Sequence, residues 1–87
     1  MLIKKKIWPE FFEKTASGKK KWELRLGDFD VHSGDTLVLE EWDPKTKTYT
    51  GRSIEKKVEY VKKFKLQELF WPEKEIKKHG LQIISLD

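Results

Sequence analysis

Short strand-like runs, each closed by a turn or helix-stop signal, succeed one another along this chain. In "KKWELRL", Trp22, Leu24 and Leu26 share one parity while Lys21, Glu23 and Arg25 share the other. That period of two is the pattern of a half-buried strand. "TLVLEEW" reads as a second strand, "DPKTKTYTG" as a turn or hairpin loop with Gly51 marking a bulge, and "RSIEKKVEYVKKF" as a long strand with Ile54, Val58 and Tyr60 at even spacing. Met1–Ile7 and the closing "LQIISL" are expected to be strands as well. Strands this short, joined mostly by tight turns, favour a small barrel over an open sheet.

Two segments break the strand rhythm. "WPEFFEKTASG" predicts a helix, with Pro9 in the first turn, Glu10 complementing the positive end of the dipole and Gly18 stopping it. Its apolar face carries Trp8, Phe11, Phe12, Thr15 and Ala16, a core stripe rather than a ligand site. "KLQELFWPEKEIKKHG" predicts short helical turns, broken before Pro72 and stopped by Gly80. The expected fold is therefore α+β. It is a small mixed or antiparallel β-barrel with one N-terminal helix and a short helical insertion before the last strand, all within a single domain spanning residues 1–87.

Composition narrows the function. Aromatic residues make up 13% of the chain, enough large rings to build a core and to argue against disorder. With no cysteine there is neither a disulfide framework nor a thiolate zinc site, and His32 and His79 lack ligands at a metal-binding spacing. No metal or cofactor is expected. The start has no apolar run long enough for a signal peptide, and nothing approaches a membrane span, so the expectation is a soluble cytoplasmic monomer with no membrane partner. The net charge of +4 comes mostly from lysine; only Arg25 and Arg52 are arginines. Lysine attracts phosphate as a point charge, whereas arginine can fork onto it. The clusters Lys4–Lys6, Lys56–Lys57, Lys62–Lys63 and Lys77–Lys78 read as a solvated face that adds salt-dependent attraction if they converge.

Gly18, Lys20, Glu23 and Arg25 form G-x-K-x-x-E-x-R directly after the first helix, followed by Ser33-Gly34-Asp35 and the strand Leu37–Glu41. This pattern resembles the ASCH domain family of the PUA-like superfamily. The later "EEWDPKTKTYTGRSI" is similar to a small-protein subgroup, the DUF3850 domain, and the resemblance runs from Ile3 to Leu86. It implies a compact β-barrel with flanking helices and a cleft in which Lys20, Glu23 and Arg25 bind RNA or a nucleotide-like ligand. In that cleft Arg25 would fork onto a phosphate or base edge, Lys20 would add a charge, and Glu23 would accept from an exocyclic amino group or hold Arg25.

From the residues alone, Lys20, Glu23 and Arg25 read first as a polar strand face with Glu23 and Arg25 in a weak surface pair. Tyr49 and Arg52 are candidates for a stacking platform and a phosphate contact, against simple strand entry. Trp8 and Trp22 fall on core faces, and Trp42 and Trp71 stay open between core, stacking and partner anchoring. The alternative function is a hydrolase of RNA or modified nucleosides acting through Lys20 and Glu23. A related amidohydrolase uses a lysine-activated threonine; its lysine falls on Lys20, but Glu23 stands at the threonine position and cannot be that nucleophile. A ribonuclease chemistry would instead take Glu23 as base and Lys20 or Arg25 as the stabilising cation.

Overall fold

Ile3 and Ile7 on one strand and Leu37 and Leu39 on the next recur with period two, which turns all four to the same side of a sheet. In the computed structural model, which describes residues 1–84, these strands are β1 (Leu2–Ile7) and β2 (Thr36–Asp43). They pair in parallel, with Ile3 opposite Leu37 and Ile7 opposite Glu41. A parallel pair needs a crossover, and helix α1 (Pro9–Ala16) supplies it. Strand β3 (Thr48–Lys57) then returns antiparallel to β2, giving a mixed three-stranded sheet in the order β1-β2-β3. Ile7, Phe12, Leu37 and Leu39 form the core between α1 and the sheet, with Ile3, Ile54 and Val58 packed against it.

The helix starts where Pro9 provides a pre-set φ and needs no N–H partner. It ends where Gly18 takes a φ of 83°, with its N–H donating to the Thr15 carbonyl. Phe12 and Thr15 are the buried members of its apolar stripe. Trp8, Phe11 and Ala16 remain exposed, which corrects the core reading of Trp8. Trp8 occupies the extended N-cap position, one residue beyond the strand that would have buried it.

Beyond β3 lie a single 3-10 turn (Leu66–Glu68) and helix α2 (Glu73–His79), separated at Pro72 and closed at Gly80 as expected. The α+β class holds. Among the described residues the sheet is open, with β1 and β3 as its edges, rather than closed into a barrel. Residues 20–26 and 81–84 form no strand, and the remainder of the expected last strand, Ser85 and Leu86, lies outside the described residues. The long strand expected over residues 52–64 stops at Lys57. There the chain is captured by the Ser33-Gly34-Asp35 turn: Val58 N–H donates to the Asp35 carbonyl and Gly34 N–H to the Val58 carbonyl.

Candidate functional site

After α1 the chain turns back sharply, with the Lys20 N–H donating to the Lys14 carbonyl. This sets the Lys20 side chain, only 9% exposed, against residues that follow it. Its Nζ donates to Glu23 Oε1 at 2.6 Å and to the Trp22 carbonyl at 2.8 Å, and lies 4.4 Å from the centre of the Trp22 ring. The other carboxylate oxygen, Glu23 Oε2, accepts from Arg25 Nε at 2.9 Å. Arg25 Nη2 then donates to the Lys6 carbonyl at 2.6 Å. The Met1 carbonyl accepts from the Thr36 N–H on β2, so alternation turns the Lys6 carbonyl to the open edge of β1. Arg25 therefore fastens the loop, through a side chain, to a strand edge that no other strand pairs among the described residues. This explains why residues 20–26 are not a strand: a charged relay, not a backbone ladder, meets the edge.

The burial of this loop is the inverse of the expected one. Leu24 and Leu26 are 65% and 81% exposed, while Lys20 and Glu23 turn inward to satisfy each other. Trp22 is half-buried, its ring sharing the Lys20 ammonium.

A second ionic cluster sits beneath α1. Glu40 pairs with Ser53 and Trp42 with Tyr49, so Thr50, Gly51 and Arg52 together stand opposite Glu41. This is the bulge expected at Gly51, which takes a φ of 95° that favours glycine. The bulge aims two donors at one acid. Arg52 forks onto Glu41 at 2.8 Å (Nε to Oε1) and 2.6 Å (Nη2 to Oε2), and Thr50 Oγ1 donates to Oε1 at 2.6 Å. Arg52 Nη2 also reaches Glu13 on α1 at 2.6 Å, and the guanidinium lies 4.5 Å from the centre of the Phe12 ring. Glu41 is 2% exposed. The Arg52 hydrogen bonds, then the Thr50 hydroxyl, hold its carboxyl below the ordinary glutamate value against the opposing effect of burial. Reciprocally, Glu41 first and then Glu13 raise the pKa of Arg52.

The opposite face of the sheet carries Trp42 and Tyr49 as a direct cross-strand pair. Lys6 lies diagonally across from them on β1, its Nζ 4.5 Å from the centre of the Trp42 ring and 5.8 Å from that of Tyr49. Lys20, Glu23 and Arg25 thus come together as one relay. Tyr49 approaches that relay through Lys6, whereas Arg52 belongs to the separate cluster on the helix side.

The family model described as "Domain of unknown function (DUF3850)" matches residues 3–71. The chain belongs to the DUF3850 family. It is also 36% identical over 53 residues to the "Uncharacterized 12.9 kDa protein in GpA 3'region" of Escherichia phage P2, a match covering 61% of this chain and 47% of that relative. The chain thus spans about half the length of the relative it matches. No solved structure matches it.

Grooves open to solvent lie elsewhere on the described residues. One of about 570 Å³ lies between Leu66, Trp71 and Ile76, and one of about 430 Å³ lies between Trp8–Glu10 and Asp43–Lys45. Neither is lined by Lys20, Glu23 or Arg25, whose relay instead occupies the edge of β1. Asp35 of the Ser33-Gly34-Asp35 motif is a turn residue: it accepts from the His32 N–H at 2.9 Å, which is the main cause of its lowered pKa. No cluster of metal-ligating side chains occurs among the described residues, and none of their helices is long and apolar enough to cross a membrane. Sequence reasoning did not single out Glu41 or Lys6. Glu41 carried a signal, because it follows Leu37 and Leu39 on the core parity, where a charge needs a partner. Lys6 carried none, being one of three consecutive lysines.

Proposed function

We propose that this DUF3850 chain is an ASCH-type, PUA-like domain that binds RNA or a nucleotide-like ligand through Lys20, Glu23 and Arg25. The observation that carries the reading is the Glu23-centred relay. One carboxylate holds a lysine on one oxygen and an arginine on the other, and the arginine is anchored again on the Lys6 carbonyl. Two of the guanidinium's N–H groups fix its plane, and its remaining donors have no partner among the described residues. A pre-set, partly exposed guanidinium loses little freedom when it forks onto a phosphate or a base edge. Both Glu23 oxygens already accept from cations, an arrangement that suits positioning Arg25 better than taking a proton from a substrate. A PUA-like reading also expects further strands to extend the open sheet toward a barrel.

Fluorescence anisotropy of labelled single-stranded and hairpin RNAs, titrated at two salt concentrations, tests the proposal. Arg25→Ala is expected to weaken binding at both salts while the protein stays folded. Equal binding by wild type and variant, disappearing together as salt rises, would instead leave only unspecific attraction by the lysines.

A further inference from the structure

The face of the sheet turned away from α1 carries an arrangement that the relay does not use. Trp42 and Tyr49 stand side by side across β2 and β3, immediately before the bulge at Thr50–Arg52. Tyr49 is half-exposed. Lys6 caps the pair from β1 with its ammonium over the Trp42 ring. Lys4 shares its parity on the same strand. The acids on the same face are Glu40 and Glu55, and Glu23 adjoins through the relay, where both its oxygens already accept from Lys20 and Arg25. The two rings thus share the Lys6 ammonium, which lies within cation–π distance of both.

We infer that Trp42, Tyr49 and Lys6 form a stacking platform for the bases of single-stranded nucleic acid, continuous with the Arg25 relay. The inference rests on the nucleic-acid reading of that relay, and it narrows the ligand from any nucleotide-like molecule to an unpaired strand. Its physical basis is an exchange. In the free protein the Lys6 ammonium occupies a ring face as a cation–π contact, which is weaker at an exposed site than the stacking of a base. An arriving base takes the ring face, and the displaced ammonium becomes free to meet the adjoining phosphate. The Lys6 backbone carbonyl is already held by Arg25, so the platform and the relay share one residue and a strand crossing one meets the other. Paired bases have no free face to offer, so a duplex gains only the charge.

The test uses labelled oligouridine, oligothymidine and an oligouridine–oligoadenosine duplex, titrated by anisotropy against the full chain. Tyr49→Ala is expected to weaken binding to the single strands by roughly 10-fold or more and to leave duplex binding unchanged. Tyr49→Phe keeps wild-type affinity, because stacking needs the ring and not the hydroxyl. Lys6→Ala lowers affinity for every probe and reduces the salt slope by about one. Thermal melts of each variant confirm that Tyr49, an exposed residue, can be changed without unfolding the chain. If Tyr49→Ala binds the single strands like wild type while Arg25→Ala does not, the platform is overturned and the relay reading stands. If Tyr49→Ala weakens binding and Arg25→Ala does not, the platform stands and the relay reading falls. If the wild type binds none of the probes, both fall.

Discussion

Glu23 and Glu41 each hold an arginine through hydrogen bonds shorter than 3 Å, yet the two clusters are built from different parts of the fold. Glu41 sits on the central strand at a core position, and a bulge opposite delivers both Arg52 and Thr50 to it. Its carboxyl is almost wholly out of solvent and its pKa is lowered. Glu23 sits in an irregular loop that Arg25 fastens to the edge of the sheet. A buried acid on a rigid strand must be paired if the fold is to tolerate it, so its arginine is committed to structure. A half-buried acid in a loop can hold its arginine in place while leaving part of the guanidinium free for a ligand. The contrast ties Arg52 to the buried acid of the central strand, and the binding role proposed for Arg25 rests on the loop relay alone.

The largest effect expected is on the Glu41 side. Glu41→Gln keeps the shape but turns an amide N–H toward the Arg52 donors and leaves a guanidinium facing no carboxylate on that strand. The Tm should fall by about 10 °C, measured by circular dichroism. A shift of only a degree or two would dissolve the contrast, because Glu41 would then be no more structural than Glu23.

A smaller effect, seen in pH dependence, sharpens the same point. Glu41 has a folded pKa below its ordinary value of 4.5. Its contribution to stability is therefore complete above that value and is lost as pH falls from there through the lowered folded pKa. Melts between neutral pH and acid should show wild type losing stability in this window and Glu41→Gln losing less. Parallel curves would place the acid sensitivity elsewhere, with Asp35 the next candidate because its pKa is also lowered. The smallest effect belongs to Arg25. Its partners are partly exposed, so Arg25→Ala should cost no more than about 1 kcal/mol of stability by urea titration.

The strands and helices that rest on local chemistry were legible in the sequence. Pro9 and Gly18 bracket α1, Pro72 and Gly80 bracket the last helical turns, and Gly51 marks the bulge. Leu37 and Leu39 declare β2. The segment from Lys20 to Leu26 was misleading, because alternation records which residues could share a face and not whether a neighbouring backbone is there to pair with. Lys20, Glu23 and Arg25 were legible as a group through their motif, but their geometry was not: nothing in a period-two pattern shows that the charges turn inward and that Leu24 and Leu26 turn out. For Arg52 the sequence left phosphate contact and strand entry both open, because the acid that holds it lies 11 positions away on another strand, joined only once the hairpin and its bulge have formed.

The most direct test of the division between the two clusters compares Arg25→Ala with Arg52→Ala, measuring for each both Tm and RNA affinity below the melting range. The account predicts that Arg25→Ala keeps the Tm near wild type and loses affinity, whereas Arg52→Ala lowers the Tm and, while folded, binds RNA nearly as well as wild type. The reverse outcome, with affinity lost in folded Arg52→Ala and retained in Arg25→Ala, would contradict it.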